Sequence, residues 1–128
     1  MNKKSTLAFA IGCLVLAGCN TMPEKPAFEP SKSFDGTYRG TRTDVSNDFI
    51  CKPTSITGTV ANGEARFKLT YNNTNLKGWI DQAGQLTLYD DNSQWNYHFS
   101  GTATATAIEG KWSVDGAPCR GTWRVERQ

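Results

Sequence analysis

The residues best able to do chemistry in this chain of 128 residues are four cysteines, one histidine and a few loop carboxylates. His98 lies between Tyr97 and Phe99 in an alternating stretch, so we expect it to point outward as an ordinary surface residue. The sequence contains no nucleophile elbow that would make His98 part of a catalytic triad. We therefore predict no catalytic residues, and we expect a protein that is not an enzyme.

Four aspartates, Asp44, Asp48, Asp90 and Asp91, fall in predicted loops, where carboxylate oxygens could bind Ca²⁺. Their spacing matches no known calcium loop, and aspartate is common in turns because it bonds to nearby backbone. Paired acids for glycoside hydrolysis would need a cleft, which so small a domain hardly offers. The sequence therefore predicts neither a metal site nor a cofactor.

Residues 1–18 have the pattern of an export signal. Lys3 and Lys4 form a positive start, and the apolar stretch over residues 7–17 is too short to span a bilayer as a permanent helix. The stretch ends in Leu16-Ala17-Gly18-Cys19, which resembles the lipobox of bacterial lipoproteins. This resemblance implies cleavage before Cys19, lipidation of Cys19 and the lipid bilayer as a partner. The alternative is an ordinary secretory signal or an N-terminal membrane helix with a coincidental cysteine.

The residue after the cysteine bears on localisation. In lipoproteins of diderm bacteria an aspartate there favours inner-membrane retention, so Asn20 implies the outer membrane, facing the periplasm, with the inner membrane and surface exposure left open.

Loss of the signal removes two lysines and leaves twelve cationic and twelve acidic residues, so the net charge falls to about zero. The pI of 8.4 is then no argument for nucleic acid, and we expect none as a partner.

Residues 19–33 combine the predicted lipidated cysteine with three prolines and little apolar content. This composition predicts an extended tether that joins the membrane to a folded domain over residues 34–128. The alternative is a segment that docks into a partner with Phe28 as its anchor.

From residue 34 onward apolar residues alternate with a period of two, so the domain is predicted to be all-β. A pattern of two large residues around a glycine recurs, as in Phe34-Asp-Gly36-Thr-Tyr38 and Ile108-Glu-Gly110-Lys-Trp112. Such glycines let strands bend and let aromatic rings lie over them, which helps to close a small barrel. Turn signals such as Asn62-Gly63 separate eight strands, predicted near 35–43, 54–61, 64–71, 75–81, 85–89, 94–102, 107–114 and 119–127. We predict a small eight-stranded antiparallel up-and-down barrel, with an open β-sandwich as the alternative.

The same alternation predicts which side chains fill the interior. They are Phe34, Tyr38, Ile56, Val60, Phe67, Leu69, Tyr71, Leu76, Ile80, Leu86, Leu88, Trp95, Tyr97, Phe99, Ile108, Trp112, Val114, Trp123 and Val125. So many large residues favour a dry, packed core over a cavity for a small apolar ligand.

Cys51 and Cys119 remain once Cys13 is removed with the signal and Cys19 is lipidated. In an exported protein such a pair predicts a disulfide. The barrel provides an independent check, because Cys119 begins the last strand and Cys51 precedes the second, which places both at the same rim. A redox-active pair is the alternative, although such pairs are usually close in sequence.

Four apolar residues are candidates for binding a partner. Trp79 turns outward between Gly78 and Ile80, where it either anchors an interface or covers a glycine gap. Phe49 and Ile50 precede Cys51, and they either plug the barrel end or form an exposed tip for a protein or a membrane. Phe28 is the fourth candidate.

The domain resembles a layout found in uncharacterised proteobacterial lipoproteins. These begin with a strand such as Gly36-Thr-Tyr38-Arg-Gly40 and end in a cysteine-bearing strand, here Cys119 to Arg127.

Two inhibitor families share the plan of a small disulfide-bearing periplasmic barrel. Leu86-Thr-Leu88-Tyr89-Asp90 resembles a strand-turn of bacterial metalloprotease inhibitors, and Ser100-Gly101 matches a fragment of the inhibitory loop of membrane-bound lysozyme inhibitors.

These observations lead to three hypotheses. The first is a non-enzymatic envelope lipoprotein whose barrel is an interaction or structural module for a protein partner. The second is an inhibitor of a protease or lysozyme that acts through residues 20–33 or a rim loop. The third is a carrier of a small apolar ligand.

Overall fold

In a computed structural model the chain is described at residues 23–46, 48–91 and 95–128. The strands are β1 (Gly36–Arg42), β2 (Thr54–Ala61), β3 (Glu64–Leu69), β4 (Thr74–Ile80), β5 (Gln85–Asp90), β6 (Tyr97–Ala103), β7 (Ala107–Val114) and β8 (Arg120–Arg127). All eight predicted strands are confirmed, and the largest difference is at the start of β6. The predicted signal, residues 1–18, and the predicted lipidation site Cys19 lie outside the described residues.

The sheet closes into a barrel. Each strand pairs antiparallel with the next, and β8 pairs with β1 from Tyr38↔Arg127 to Arg42↔Trp123. A Cβ at Gly40 would overlap the Arg124 carbonyl oxygen, so glycine permits the close approach of these two strands. The up-and-down barrel is confirmed, and the open-sandwich alternative is wrong because the first and last strands pair.

The loops that follow β1, β3, β5 and β7 form one end of the barrel, which we call the disulfide end. The opposite end is called the terminal end.

Aromatic rings fill the interior. The ring centre of Trp123 lies 6.2 Å from that of Phe67 and 5.8 Å from that of Phe99, both edge-on. The indole N–H of Trp123 donates to the Ser100 carbonyl at 3.0 Å, so its polar atom is satisfied within the core. A Cβ at Gly101 would lie 2.7 Å from the Trp123 ring. The glycine therefore makes the room that the large ring needs, as the sequence pattern predicts.

Most of the predicted core is buried, with four corrections at the barrel ends. Tyr71 is 45% exposed, because it follows β3 and lies on the rim. Phe34, Trp95 and Val114 are only partly buried against the core. Three small residues absent from the prediction, Ala65, Ala103 and Ala107, are buried as well.

Residues just before β1 cover the terminal end. The Ser31 amide donates to the Ile80 carbonyl at 2.8 Å, and the Ser31 residue is buried. The Asp35 carboxylate accepts hydrogen bonds from the amides of Asn62 and Gly63 at 2.8 and 3.0 Å. Ser31, in the last part of the predicted tether, is thus fixed to the barrel.

Candidate functional site

The loop between β1 and β2, residues 43–53, projects from the disulfide end, and we call it the tip loop. A disulfide joins Cys51 to Cys119 at its base, with 5.4 Å between the two Cα atoms, so the predicted bridge is confirmed. The first half of the loop runs along β8, because the amides of Thr43 and Val45 donate to the carbonyls of Thr122 and Arg120, each at 2.8 Å. The loop is therefore anchored on both sides.

The loop carboxylates stabilise turns. Asp44 accepts from the Ser46 hydroxyl at 2.7 Å and from the Arg120 amide at 3.1 Å, and Asp48 accepts from the Ile50 amide at 3.1 Å. Asp44 also lies with Cys51 and Cys119 in a group whose ligand atoms are within 4.8 Å of one another. Both sulfurs belong to the disulfide and offer no thiolate, so this group lacks the ligands of a metal site.

The tip loop presents three apolar side chains to solvent. Phe49 is 86% exposed, Val45 is 62% exposed and Ile50 is 48% exposed. The interpretation of Phe49 and Ile50 as a barrel plug is therefore wrong, because a turn closed by the Cys51 amide and the Asp48 carbonyl holds them outside. Scattered apolar side chains on a surface are common, but three on one braced loop make this loop the candidate site considered below.

Arg42 fills this end of the barrel instead, which was not predicted from the sequence. The residue is 3% exposed, and its guanidinium carbon lies 3.9 Å from the centre of the Trp112 ring and 5.2 Å from that of Tyr71. Its Nη2 donates to the Lys52 carbonyl at 2.7 Å, whereas Nε and Nη1 have no hydrogen-bond partner among the described residues. The alternation of inward and outward side chains could have identified Arg42, since it lies on the same face of β1 as the buried Tyr38.

Two tyrosines complete the rim beside Arg42. The hydroxyls of Tyr71 and Tyr97 lie 2.6 Å apart, and the Asn72 side-chain amide donates to the Tyr97 oxygen at 3.2 Å. Burial, together with the hydrogen bond to Tyr71, raises the pKa of Tyr97 to about 12. Tyr97 is therefore a neutral structural group in the physiological range.

The other two binding candidates meet on the outer wall. Trp79 points outward as predicted, is partly buried, and has the Lys77 ammonium 5.4 Å from its ring centre. Trp79 and Phe28 line one open cavity of about 450 Å³ between residues 23–28 and the wall. Phe28 keeps 43% of its surface exposed. The structure thus brings Phe28 and Trp79 together, away from the tip loop.

His98 points outward as expected. Its Nε2 lies 3.0 Å from the Asp115 carboxylate, and both side chains are mostly exposed. The hydrogen bond from His98, with a second from the Asn96 side chain, lowers the pKa of Asp115. The pair is an exposed surface contact of small expected energy.

The chain matches no protein-family model, no curated protein and no solved structure. Within the part of the chain that the structure describes, no helix is long and apolar enough to cross a membrane.

Proposed function

We propose that the protein is a non-enzymatic lipoprotein of the bacterial envelope whose barrel presents the tip loop to a protein partner. The observation that carries this proposal is the exposure of Phe49, Ile50 and Val45 on a loop that the Cys51–Cys119 disulfide holds in place. Burying a large apolar side chain in an interface contributes about 1.5–3 kcal/mol. A braced loop loses little conformational entropy on binding, so more of that energy remains as affinity.

The membrane anchor is part of the proposal and depends on the sequence pattern around Cys19. Mass spectrometry of the N-terminal peptide tests it, since acylation adds the mass of the lipid to Cys19. In a Cys19→Ser variant we expect an unprocessed or soluble protein in place of a membrane-bound one. Wild-type protein that carries no lipid and fractionates with soluble proteins would overturn this part.

The tip loop is tested by capture from envelope extracts with the full chain purified in mild detergent. A Phe49→Ser/Ile50→Ser variant should lose the captured partner. A Phe28→Ser variant serves as the matched control, because it removes an exposed ring elsewhere on the surface. Retention of the partner by the tip variant and its loss in the control would place the contact on residues 23–28 instead.

A second candidate function is inhibition of a secreted hydrolase, a protease or a lysozyme. The observation that favours it is that the most exposed large side chain, Phe49, sits on the turn just before a disulfide-bonded cysteine. A rigid protruding loop of this kind can enter an enzyme cleft with little reorganisation. Loss of enzyme activity on stoichiometric addition of the wild-type protein, but not of the tip variant, would favour inhibition over a purely structural contact.

The third hypothesis, a carrier of a small apolar ligand, is the least supported. Trp123, Phe67 and Phe99 occupy the middle of the barrel, where such a ligand would have to bind. Organic extraction of the purified protein, followed by mass spectrometry, tests this directly.

A further inference from the structure

A carboxylate lies beside the disulfide at the base of the tip loop. The Sγ atoms of Cys51 and Cys119 and a carboxylate oxygen of Asp44 all lie within 4.8 Å of one another. While the bridge is intact, neither sulfur can bind an ion as a thiolate. Reduction turns the same three residues into two thiols and a carboxylate, and these groups are ligands of zinc sites in proteins.

Each of the three residues is held by hydrogen bonds that do not depend on the bridge. The Cys51 amide donates to the Asp48 carbonyl at 3.0 Å, and the Cys119 carbonyl accepts from the last amide of β7 at 3.2 Å. The Asp44 carboxylate accepts from the Arg120 amide at 3.1 Å. These bonds remain available after reduction, so an ion would have to order only a short stretch of chain.

The spacing of the three ligand atoms suits a tetrahedral ion. Zinc–ligand bonds of about 2.0–2.3 Å place the atoms of a tetrahedral set about 3.5–4 Å apart. The Asp44 oxygen is already within 4.8 Å of both sulfurs, and the two sulfurs are free to separate once the bond is broken. Cys51 and Cys119 are buried, whereas Asp44 is partly exposed, so an ion can enter from the carboxylate side and keep water as its fourth ligand.

The surroundings also suit a negatively charged sulfur. The Ser46 hydroxyl oxygen lies 3.3 Å from the Cys51 Sγ atom and 2.7 Å from the Asp44 carboxylate. A hydroxyl that can donate to sulfur stabilises the thiolate, which is the form of cysteine that binds metals.

We propose that the reduced protein binds Zn²⁺ through the Sγ atoms of Cys51 and Cys119 and the carboxylate of Asp44. A protein dithiol first transfers two electrons and two protons to the bridge, which leaves two thiols here and a disulfide in the donor. Zn²⁺ then displaces the two thiol protons, which pass to solvent. The ion takes the place of the covalent bond at the base of the tip loop. This inference goes beyond the proposed function and depends on neither the membrane anchor nor the protein partner.

The test uses the full chain in mild detergent, reduced with a phosphine, and Co²⁺ as a spectroscopic probe for the zinc site. Reduced wild-type protein should give a thiolate-to-cobalt charge-transfer band and visible bands of tetrahedral strength, and Zn²⁺ should remove both. The oxidised protein should give neither band, and nor should a reduced Cys51→Ala/Cys119→Ala variant, which keeps Cys13 and Cys19. Absence of the bands in reduced wild-type protein, or equal bands in the double variant, would overturn the site.

Two aspartates of the tip loop distinguish a three-ligand site from chelation by two thiols alone. Asp44→Asn should weaken Zn²⁺ binding by about tenfold or more in competition with a chelating indicator, because a ligand is lost. Asp48→Asn is the matched control, since Asp48 lies in the same loop but outside the ligand group, and it should leave the affinity nearly unchanged. Equal unfolding midpoints of the oxidised variants would establish that both fold. Equal affinity in all three proteins, or equal loss in both variants, would overturn Asp44 as a ligand.

Replacement of the bridge by the ion is measured by cleavage of residues 43–53 with a serine protease. The reduced protein should be cleaved faster than the oxidised one, and Zn²⁺ should restore most of the protection in wild type but not in Asp44→Asn. Zn²⁺ that binds without slowing cleavage would overturn the claim that the ion holds the loop. None of these measurements involves lipid on Cys19 or capture through Phe49, so the metal site and the proposed function can fail separately.

Discussion

The guanidinium of Arg42 stacks on Trp112 inside the disulfide end of the barrel, 3.9 Å from the ring centre. The contact joins β1 to β7 across the closing strand β8. No carboxylate among the described residues forms an ion pair with Arg42, so the aromatic rings and the Lys52 carbonyl stabilise the charge. This arrangement leads to the first prediction.

Replacing Arg42 by alanine should lower the free energy of unfolding by about 2–4 kcal/mol, because the ring contacts and the filled volume are lost together. Replacement by methionine should cost less than about 1.5 kcal/mol, since methionine fills much of the space and removes two buried nitrogens, Nε and Nη1, that have no described partner. Urea unfolding of the two variants checks the difference. A methionine variant as unstable as the alanine variant would mean that the charge itself is required.

The second prediction concerns the disulfide. Cys51 and Cys119 are separated by 68 residues, and a bond that closes so long a loop contributes about 4 kcal/mol in the chain-entropy model. The Cys51→Ala/Cys119→Ala variant should therefore unfold at clearly lower urea concentration. It should also show faster proteolysis within residues 43–53 at urea concentrations where the barrel is still folded. An unchanged cleavage rate there would mean that the hydrogen bonds of the loop hold it without the bridge.

Closure of the barrel depends on Gly40. A Cβ there would overlap the backbone of β8 at Arg124 and Val125, so Gly40→Ala should destabilise the protein by at least about 2 kcal/mol. Thr41→Ala is the matched control, because Thr41 is the exposed neighbour in the same strand, and it should cost less than about 1 kcal/mol. Thermal unfolding followed by circular dichroism measures both, and equal effects would contradict the close-approach argument.

Acid titration should detect the bond between Asn75 and Asp91. Asn75 donates to the Asp91 carboxylate from its side chain at 2.9 Å and its amide at 3.0 Å, which lowers the pKa of Asp91 below 3.8. The stabilisation is therefore complete above the unfolded pKa and is lost as pH falls through the lowered one. NMR titration of the Asp91 carboxyl should give a higher pKa in Asn75→Ala, in which the side-chain bond is lost. An unchanged pKa would mean that the backbone bond alone sets it.

Local patterns in the sequence were sufficient for the strands and the bridge. Alternation around Ile56 and Val60 assigns those residues to the interior, and Asn62-Gly63 marks the hairpin that follows, because both signals act over a few neighbouring residues. The pairing of Cys51 with Cys119 also followed, since an up-and-down order places the two residues at the same rim.

The candidate site was only partly predictable. Phe49 and Ile50 were identified as residues of interest, but an apolar pair before a cysteine fits a plug as well as a tip. Arg42 was missed because a charged residue on an inner face contradicts the usual burial of apolar side chains.

By itself the sequence determined the order of the strands and most of the side chains at the centre of the domain, because strand alternation and turn chemistry are local properties. Tertiary structure decided that β8 pairs with β1, which residue closes the disulfide end, and which apolar side chains stay outside. These outcomes depend on strand register and barrel closure, which bring together residues far apart in the chain.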